Sequence, residues 1–317
     1  MRQVNIALIF LALSAFAGSA TAETNLERKI DSLFVIASSG EVRYRDLNEP
    51  AMDSIAALGE AAVPHLIDKF TTKSARERWT VIWTLQRIGE PAIPYLVDAL
   101  DRPDGLVVQR VCWALGDVGD STAVEPLIGV RSHPRWQVRE QATEALGKIG
   151  HKRADDAVLA ALVDNIGQVR KAAVVACGRL EIHESIPRLV HRMGDDFYGA
   201  RMMTLDALKK LDTGMVMETL MDSVHSANPF TGDLCCRLLG DYGTDRAREK
   251  LAAVATATAD ENDRLRVHAA VALVRSDPLD NCGFHERVLA SITDRLDHLK
   301  VESALLAARN DQKEPAQ

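Results

Sequence analysis

The chain is poor in aromatic residues and in the motifs that mark familiar catalytic sites. Phe, Trp and Tyr together make up 5% of its 317 residues. No stretch after residue 22 is apolar enough to cross a bilayer. The sequence has no GxSxG, no phosphate-binding glycine loop and no HExxH spacing. These absences argue against a membrane-spanning protein and give an enzyme no support from motifs.

An excess of positive charge is also missing. The sequence contains 38 Lys and Arg against 45 Asp and Glu, which gives a formal net charge of −7 at pH 7. This balance favours solubility and argues against broad binding to a phosphate backbone. We therefore expect no nucleic-acid partner.

Cysteine is scarce, and its spacing does not indicate a disulfide framework or a metal site. The five cysteines are Cys112, Cys177, Cys235, Cys236 and Cys282. Their number is odd, no CxxC occurs, and four of them lie in helical patterns. We interpret them as small buried thiols. A bridge from Cys282 to Cys235 or Cys236 stays open as an alternative.

The first 22 residues have the pattern of a cleavable secretory signal. Arg2 supplies a short positive region, residues 6–17 are apolar, and Ala20-Thr21-Ala22 is a small-x-small cleavage site. Cleavage after Ala22 predicts a periplasmic or secreted protein that is not inserted in a membrane. An uncleaved membrane anchor is the alternative.

What the chain does have is an internal repeat of about 31 residues. One register position recurs at intervals of 30 or 31 residues, at Gly59, Gly89, Gly119, Gly150, Glu181, Asp212 and Gly243. A period in this range indicates a stacked repeat architecture. Before each register position the apolar residues follow helical spacing, and a second amphipathic stretch follows it. Each repeat is therefore predicted to be a helix, a tight turn and another helix.

A second recurring feature is an Asp followed six residues later by an Arg. It occurs as Asp164 and Arg170, Asp195 and Arg201, and Asp260 and Arg266, while Arg78 and Arg139 stand at the same arginine position without the Asp. In these residues the chain resembles the HEAT-repeat family, most closely its short bilin-lyase-like (PBS lyase) repeats. The resemblance implies an all-α, right-handed α-α superhelix in which these residues form a structural ladder of ion pairs between layers. We expect local irregularity in repeats one, three and seven, where Asn48, Val108 and Gly232 replace the Arg.

The repeat pattern divides the chain into five parts. These are a signal peptide (1–22), an N-terminal capping helix (23–46), a solenoid of about eight repeats (47–293), a C-terminal capping helix (294–310) and a disordered tail (311–317). Polar caps at both ends are what a stack of repeats requires. The first cap contains Leu33-Phe34-Val35-Ile36, which could dock a partner or be buried against Ile55 and Leu58.

The candidate binding site follows from the resemblance, because the first helix of each HEAT-like repeat lines a concave groove. Positions ten and six residues before the register position should face this groove, and most of them are polar, as with Glu49, Asp53, Asp206 and Asp233. Repeat two places Trp79 and Trp83 there, and repeat three places Gln109 and Trp113. Repeat four adds Glu140 and Glu144 as an acidic rim. An aromatic cluster with a polar rim is typical of a binding hot spot.

We therefore predict a non-catalytic scaffold that binds a peptide or protein segment of apolar and basic character in this groove. The alternative for the tryptophans is packing between neighbouring helices. Self-association of the solenoid is a second alternative for the whole chain.

An enzyme or an enzyme-accessory subunit is a third alternative. Metal-dependent hydroxylases of similar architecture carry several His-Glu pairs at equivalent repeat positions. Here only His183-Glu184 and His285-Glu286 occur, and they are not equivalent. We therefore predict no catalytic residues, no metal and no cofactor. Bilin-lyase-like proteins act in the cytoplasm, and the signal sequence argues against that role.

Overall fold

The computed structural model describes residues 22–256 and 263–276 of the chain. All regular secondary structure in these residues is helical, which confirms the predicted all-α repeat fold. Several predicted features lie outside the described residues. They are residues 1–21 of the signal sequence, Asp260, Cys282, His285-Glu286, the capping helix 294–310 and the tail 311–317.

The chain divides into two compact units, Met1–Ala154 and Asp155–Gln317. The described part of the first unit contains eight α-helices, joined by short 3-10 turns. They are α1 (Ala22–Ala37), α2 (Asn48–Ala56), α3 (Val63–Asp68), α4 (Ala75–Ile88), α5 (Ile93–Asp98), α6 (Gly105–Val118), α7 (Val124–Gly129) and α8 (Trp136–Ile149).

The described part of the second unit also contains eight α-helices. They are α9 (Asp155–Ala161), α10 (Gly167–Arg179), α11 (Ile186–Arg192), α12 (Tyr198–Leu208), α13 (Thr213–Ser223), α14 (Pro229–Tyr242), α15 (Asp245–Ala255) and α16 (Asp263–Ser276). We call the first helix of each repeat its inner helix; these are α2, α4, α6 and α8 in the first unit and α10, α12, α14 and α16 in the second.

The helix α1 is fixed to the first unit by its apolar face. Ile30, Leu33 and Phe34 are buried, and the helix packs against α2, where Ile55 is fully buried. These contacts support burial rather than partner docking for Leu33 and Phe34. Val35 is the exception, since it is 65% exposed.

A left-handed residue ends most inner helices at the register position. The register glycines have φ between 57° and 79°, a region that suits glycine because it has no Cβ. Glu181 adopts the same conformation with φ 53°. Asp212 does not: its φ is −56°, and its carboxylate instead caps α13 by accepting a hydrogen bond from the Met215 N–H at 2.8 Å.

A second glycine position, three residues before the register position, controls how closely inner helices approach. A Cβ on Gly116 or on Gly178 would lie 2.8 Å from the Cα of Ala145 or Ala207 on the next inner helix. Gly240 stands in the same relation to Ala272. The helix pairs α6–α8, α10–α12 and α14–α16 are accordingly the most extensively packed.

Where a residue other than glycine takes this position, the inner helices share less contact. Gln86 occupies it between α4 and α6, and Lys209 occupies it before α14. The backbones of α4 and α6 share far less contact than the glycine pairs, and those of α12 and α14 barely touch. We call α4–α6 and α12–α14 the open helix pairs.

The arginine ladder is most complete in the second unit. Arg170 makes a two-bond ion pair with the carboxylate of Asp195 in the next repeat, at 2.8 and 2.6 Å, and it also contacts Asp196. Arg192 and the Phe197 N–H donate to the same Asp195 carboxylate, whose side chain is fully buried. An ion pair thus joins two successive repeats at this step, between Arg170 and Asp195.

The other ladder arginines reach backbone carbonyls of the preceding turn. Arg201 donates to the Asp195 carbonyl at 2.6 Å, Arg78 to the Lys73 carbonyl at 3.0 Å and Arg139 to the His133 carbonyl at 3.0 Å. Arg170 makes the same bond to the Asp164 carbonyl at 2.8 Å. Arg266 is buried in α16.

Other contacts occur near Asn48, Val108 and Gly232, the three positions that lack the ladder arginine. Asn48 donates to the Ser39 carbonyl at 3.0 Å. In repeat three the buried Arg110, two residues after Val108, donates to the Phe70 carbonyl and, at 2.7 Å, to the Thr72 carbonyl. At Gly232 a Cβ would lie 2.7 Å from the Val224 carbonyl oxygen, so the backbone itself fills the space of the arginine.

Candidate interaction surface

Three tryptophans lie together at the open helix pair α4–α6 of the first unit. Trp79 and Trp83 are one helical turn apart on α4, so they share a face. Their ring centroids are 5.5 Å apart, and the Trp79 centroid is 4.6 Å from that of Trp113 on α6 in an edge-to-face arrangement. We call these three residues the tryptophan cluster.

The two helices that carry the cluster have well-defined ends. The Ser74 hydroxyl caps α4 by accepting from the Glu77 N–H at 3.3 Å, and the Asp104 carboxylate caps α6 by accepting from the Leu106 N–H at 2.8 Å. Below the cluster the opposite faces of both helices are fully buried, as Leu85 and Leu115 show. The tryptophan cluster therefore lies on two helices whose opposite faces are packed in the core.

Exposure separates the members of the cluster. Trp79 is 40% and Trp83 is 44% exposed, while Trp113 is half-buried. Trp113 thus packs between the helices against Trp79, as the packing alternative predicts, but Trp83 presents much of its ring to solvent. Gln109, one turn before Trp113, is also half-buried.

A cleft of about 310 Å³ opens beside the cluster and is lined by Glu49, Trp83, Gln86 and Arg87. Arg87 forms ion pairs with Glu49 and, at 3.0 Å, with Asp53. One guanidinium therefore offsets both carboxylates on this side of the tryptophans.

The acidic side chains on α8, on the other side of the tryptophan cluster, also have partners. Glu140 and Glu144 on α8 are half-buried. The Glu144 carboxylate lies 3.6 Å from the Lys148 ammonium, which also pairs with Asp117 at 2.8 Å. The surface around the tryptophans is therefore less acidic than the sequence pattern predicted.

The prediction that Asp233 faces the groove is wrong. Asp233 is buried at 8% exposure, because its carboxylate pairs with Arg264 at 2.5 Å and lies 3.3 Å from His268 Nδ1. The helical wheel indicated the correct side of α14 but could not show that α16 covers it.

The metal-ligating and thiol side chains of the described residues were the remaining candidates for a chemical site. No group of three or more His, Cys, Asp and Glu in 22–256 and 263–276 could hold a metal ion. Cys112, Cys177, Cys235 and Cys236 are free and buried. Burial raises the thiol pKa of Cys112, Cys177 and Cys236 to about 12, so these groups are protonated at neutral pH. No described helix is both long and apolar enough to cross a membrane.

Comparison with known proteins identifies the repeats. A family profile of HEAT repeats matches residues 63–130, 93–176 and 127–209, so this part of the chain consists of HEAT repeats. No curated protein matches the chain significantly.

One of the solved structures that match the chain supports the same fold. The Escherichia coli protein YibA is 15% identical, with a TM-score of 0.50 over 84% of this chain and 98% of its own; this shows a shared fold alone. Human deoxyhypusine hydroxylase in complex with glycerol is 20% identical over 80% of this chain and 98% of its own, with a TM-score of 0.35. The CpcE–CpcF complex of phycocyanin lyase from Nostoc is 19% identical over 76% and 94%, with a TM-score of 0.40. The last two similarities are too low to support any conclusion about the fold or the activity of this chain.

Proposed function

Because residues 63–209 are HEAT repeats, we propose that this chain is a non-catalytic scaffold that binds a peptide or protein segment at its tryptophan cluster. The observation that carries the proposal is the exposure of Trp79 and Trp83 beside a cleft. Two large aromatic rings that are partly exposed at one place leave apolar surface in water, and a bound segment would cover it. Stacks of helical repeats commonly present binding surfaces of this kind.

The pairing of the rim carboxylates defines the partner more closely. Arg87 pairs with both Glu49 and Asp53, and Lys148 pairs with Glu144 as well as with Asp117. A basic side chain of the partner would have to displace these internal cations. We therefore expect apolar side chains to provide most of the affinity, and basic side chains to add a smaller, salt-dependent contribution.

The proposal is tested by selecting peptides from a displayed random library and measuring their affinity by calorimetry. Trp83→Ala should weaken a selected peptide by about 30-fold or more, the scale of an interface hot spot. Val163→Ala provides the control, since Val163 is an exposed apolar residue in the other unit and its loss should leave the affinity unchanged. Affinity unaffected by Trp83→Ala, or a library that yields only peptides insensitive to it, would contradict the proposal.

We also propose that the chain is exported and that its signal sequence is removed after Ala22. The tripartite pattern of residues 1–22 supports this. Protein isolated from the cell envelope or the medium should begin at Glu23 by N-terminal sequencing. Full-length protein confined to the cytosol would count against export.

A further inference from the structure

The second open helix pair, α12–α14, carries a different surface. Tyr198 is 65% and Phe230 is 43% exposed, and both rings lie close to Arg201. The Arg201 guanidinium carbon is 4.5 Å from the Phe230 ring centroid and 5.6 Å from that of Tyr198. The Arg264 guanidinium carbon lies 5.5 Å from the same Phe230 ring. We call Tyr198, Arg201, Phe230 and Arg264 the arginine–aromatic surface.

The two arginines differ in how their charge is balanced. Arg264 pairs with Asp233 at 2.5 Å. Arg201 has no carboxylate partner among the described residues; its one hydrogen bond goes to the Asp195 carbonyl. The Asp195 carboxylate itself is already engaged by Arg170, Arg192 and the Phe197 N–H. Two guanidinium groups therefore approach one exposed ring with a single carboxylate between them.

The neighbouring exposed charges add to this positive field. Lys171 on α10 is exposed and reaches the start of α12, where its side chain lies beside Gly199. Arg237 on α14 and Asp206 on α12 are also exposed, and their charges are of opposite sign. Lys209 and Asp241 neutralise each other at 2.8 Å, and Asp196 is taken up by Arg170.

From this arrangement we propose that the arginine–aromatic surface binds an acidic peptide segment, with a carboxylate of the partner paired to Arg201. The bond to the Asp195 carbonyl and the stacking on Phe230 fix the guanidinium plane in advance. A fixed guanidinium offers two parallel N–H donors to a carboxylate, a geometry that a lysine cannot reproduce. Tyr198 and Phe230 supply apolar area for a side chain next to the acidic residue, and they exclude water from the ion pair.

The proposal is tested by fluorescence anisotropy with the full chain and a fluorescein-labelled octapeptide of alternating Glu and Phe. We expect binding that weakens as salt is raised, and no binding of the matched octapeptide of alternating Gln and Phe. Arg201→Met should reduce the affinity by about tenfold or more, and Arg201→Lys should restore only part of it. Arg246→Met is the matched control, because Arg246 is an exposed arginine of the same unit that already pairs with Glu218.

Tyr198→Ala keeps the test valid if Arg201→Met unfolds the protein, because the Tyr198 ring is mostly in solvent. This variant should lose affinity about threefold or more with an unchanged melting temperature. Trp83→Ala should bind the acidic peptide normally, which separates this surface from the tryptophan cluster. Equal binding of the neutral peptide, no effect of Arg201→Met, or tighter binding of an octamer of deoxythymidine would overturn the assignment to an acidic peptide.

Discussion

The two units are built from the same repeat but carry different side chains at their open helix pairs. In the first unit every register residue is a glycine with positive φ, and the open helix pair α4–α6 is filled by the tryptophan cluster. In the second unit two of the three described register residues are Glu181 and Asp212, and the open pair α12–α14 holds the arginine–aromatic surface. Closely packed pairs with glycine three residues before the register position occur in both units. Close helix packing at the glycine positions thus holds successive repeats together. The looser helix packing at Gln86 and Lys209 leaves room for large exposed side chains.

The largest expected difference between the units concerns their ladder arginines. Arg170→Met in the second unit removes two bonds to a buried carboxylate, and we expect it to lower the free energy of unfolding by about 3 kcal/mol. Arg78→Met in the first unit removes a bond to the Lys73 carbonyl and should cost about 1 kcal/mol. Urea denaturation followed by circular dichroism measures both.

The control for this pair is Glu218→Gln, which disrupts an exposed ion pair with Arg246 and should cost less than about 0.5 kcal/mol. If Arg170→Met unfolds at the same urea concentration as the wild type, the buried ion pair does not stabilise the stack.

Replacing a glycine at a close helix contact should lower the free energy of unfolding by a similar amount in both units. Gly116→Ala and Gly178→Ala each place a methyl group 2.8 Å from a Cα atom of the next inner helix, so each should cost about 1–3 kcal/mol. Gly129→Ala is the matched control: it is also helical, but nothing lies within 4 Å of its Cβ position. That variant should be neutral or slightly stabilising. Comparable stability of all three variants would show that close approach does not depend on these glycines.

Acid should affect the second unit through Asp195. Burial alone would raise its carboxyl pKa, but hydrogen bonds from Arg170 and the Phe197 N–H hold the pKa at about 2, below the ordinary 3.8. Because the folded pKa is the lower one, its contribution is complete above about pH 4 and is lost as the pH falls toward 2.

Unfolding free energies measured between pH 5 and 2 should therefore fall more steeply for the wild type than for Asp195→Asn. Parallel curves for the two proteins would mean that Asp195 is not held ionised by its neighbours.

The smallest expected effects concern the register residues of the second unit. Glu181→Gly should stabilise by up to about 1 kcal/mol, because a residue with a Cβ is strained at φ 53°. Asp212→Gly should instead destabilise by a few tenths of a kcal/mol, because it removes the cap of α13 and relieves no strain. Thermal denaturation of both variants beside the wild type shows whether each change stabilises or destabilises the protein. Stabilisation by both changes would contradict the different roles assigned to Glu181 and Asp212.

The repeat and its helices could be predicted from the sequence because their causes are local. The glycines at 59, 89, 119, 150 and 243 mark left-handed turns, and apolar spacing marks the buried face of each helix. The structure likewise brings Trp79, Trp83 and Trp113 together, since helical periodicity and the repeat length place them on adjacent helices.

Features that depend on contacts between repeats could not be predicted in the same way. Arg110, two residues after Val108, reaches the Thr72 carbonyl of an earlier turn, and Asp233 is covered by Arg264 and His268. The pairing of Arg87 with Glu49 and Asp53 depends on side chains of two helices. The glycines at 116, 178 and 240 are a signal in the sequence for close helix approach, since they recur three residues before the register position.

The most direct test of the central claim, that the tryptophan cluster is a binding surface rather than packing, is the free energy of unfolding of Trp83→Ala. We predict a loss below about 1 kcal/mol, because much of the Trp83 ring is in solvent and its removal opens no buried cavity. A loss of about 3 kcal/mol or more, as for a tryptophan in a protein core, would show that Trp83 holds the helices together and would contradict the account.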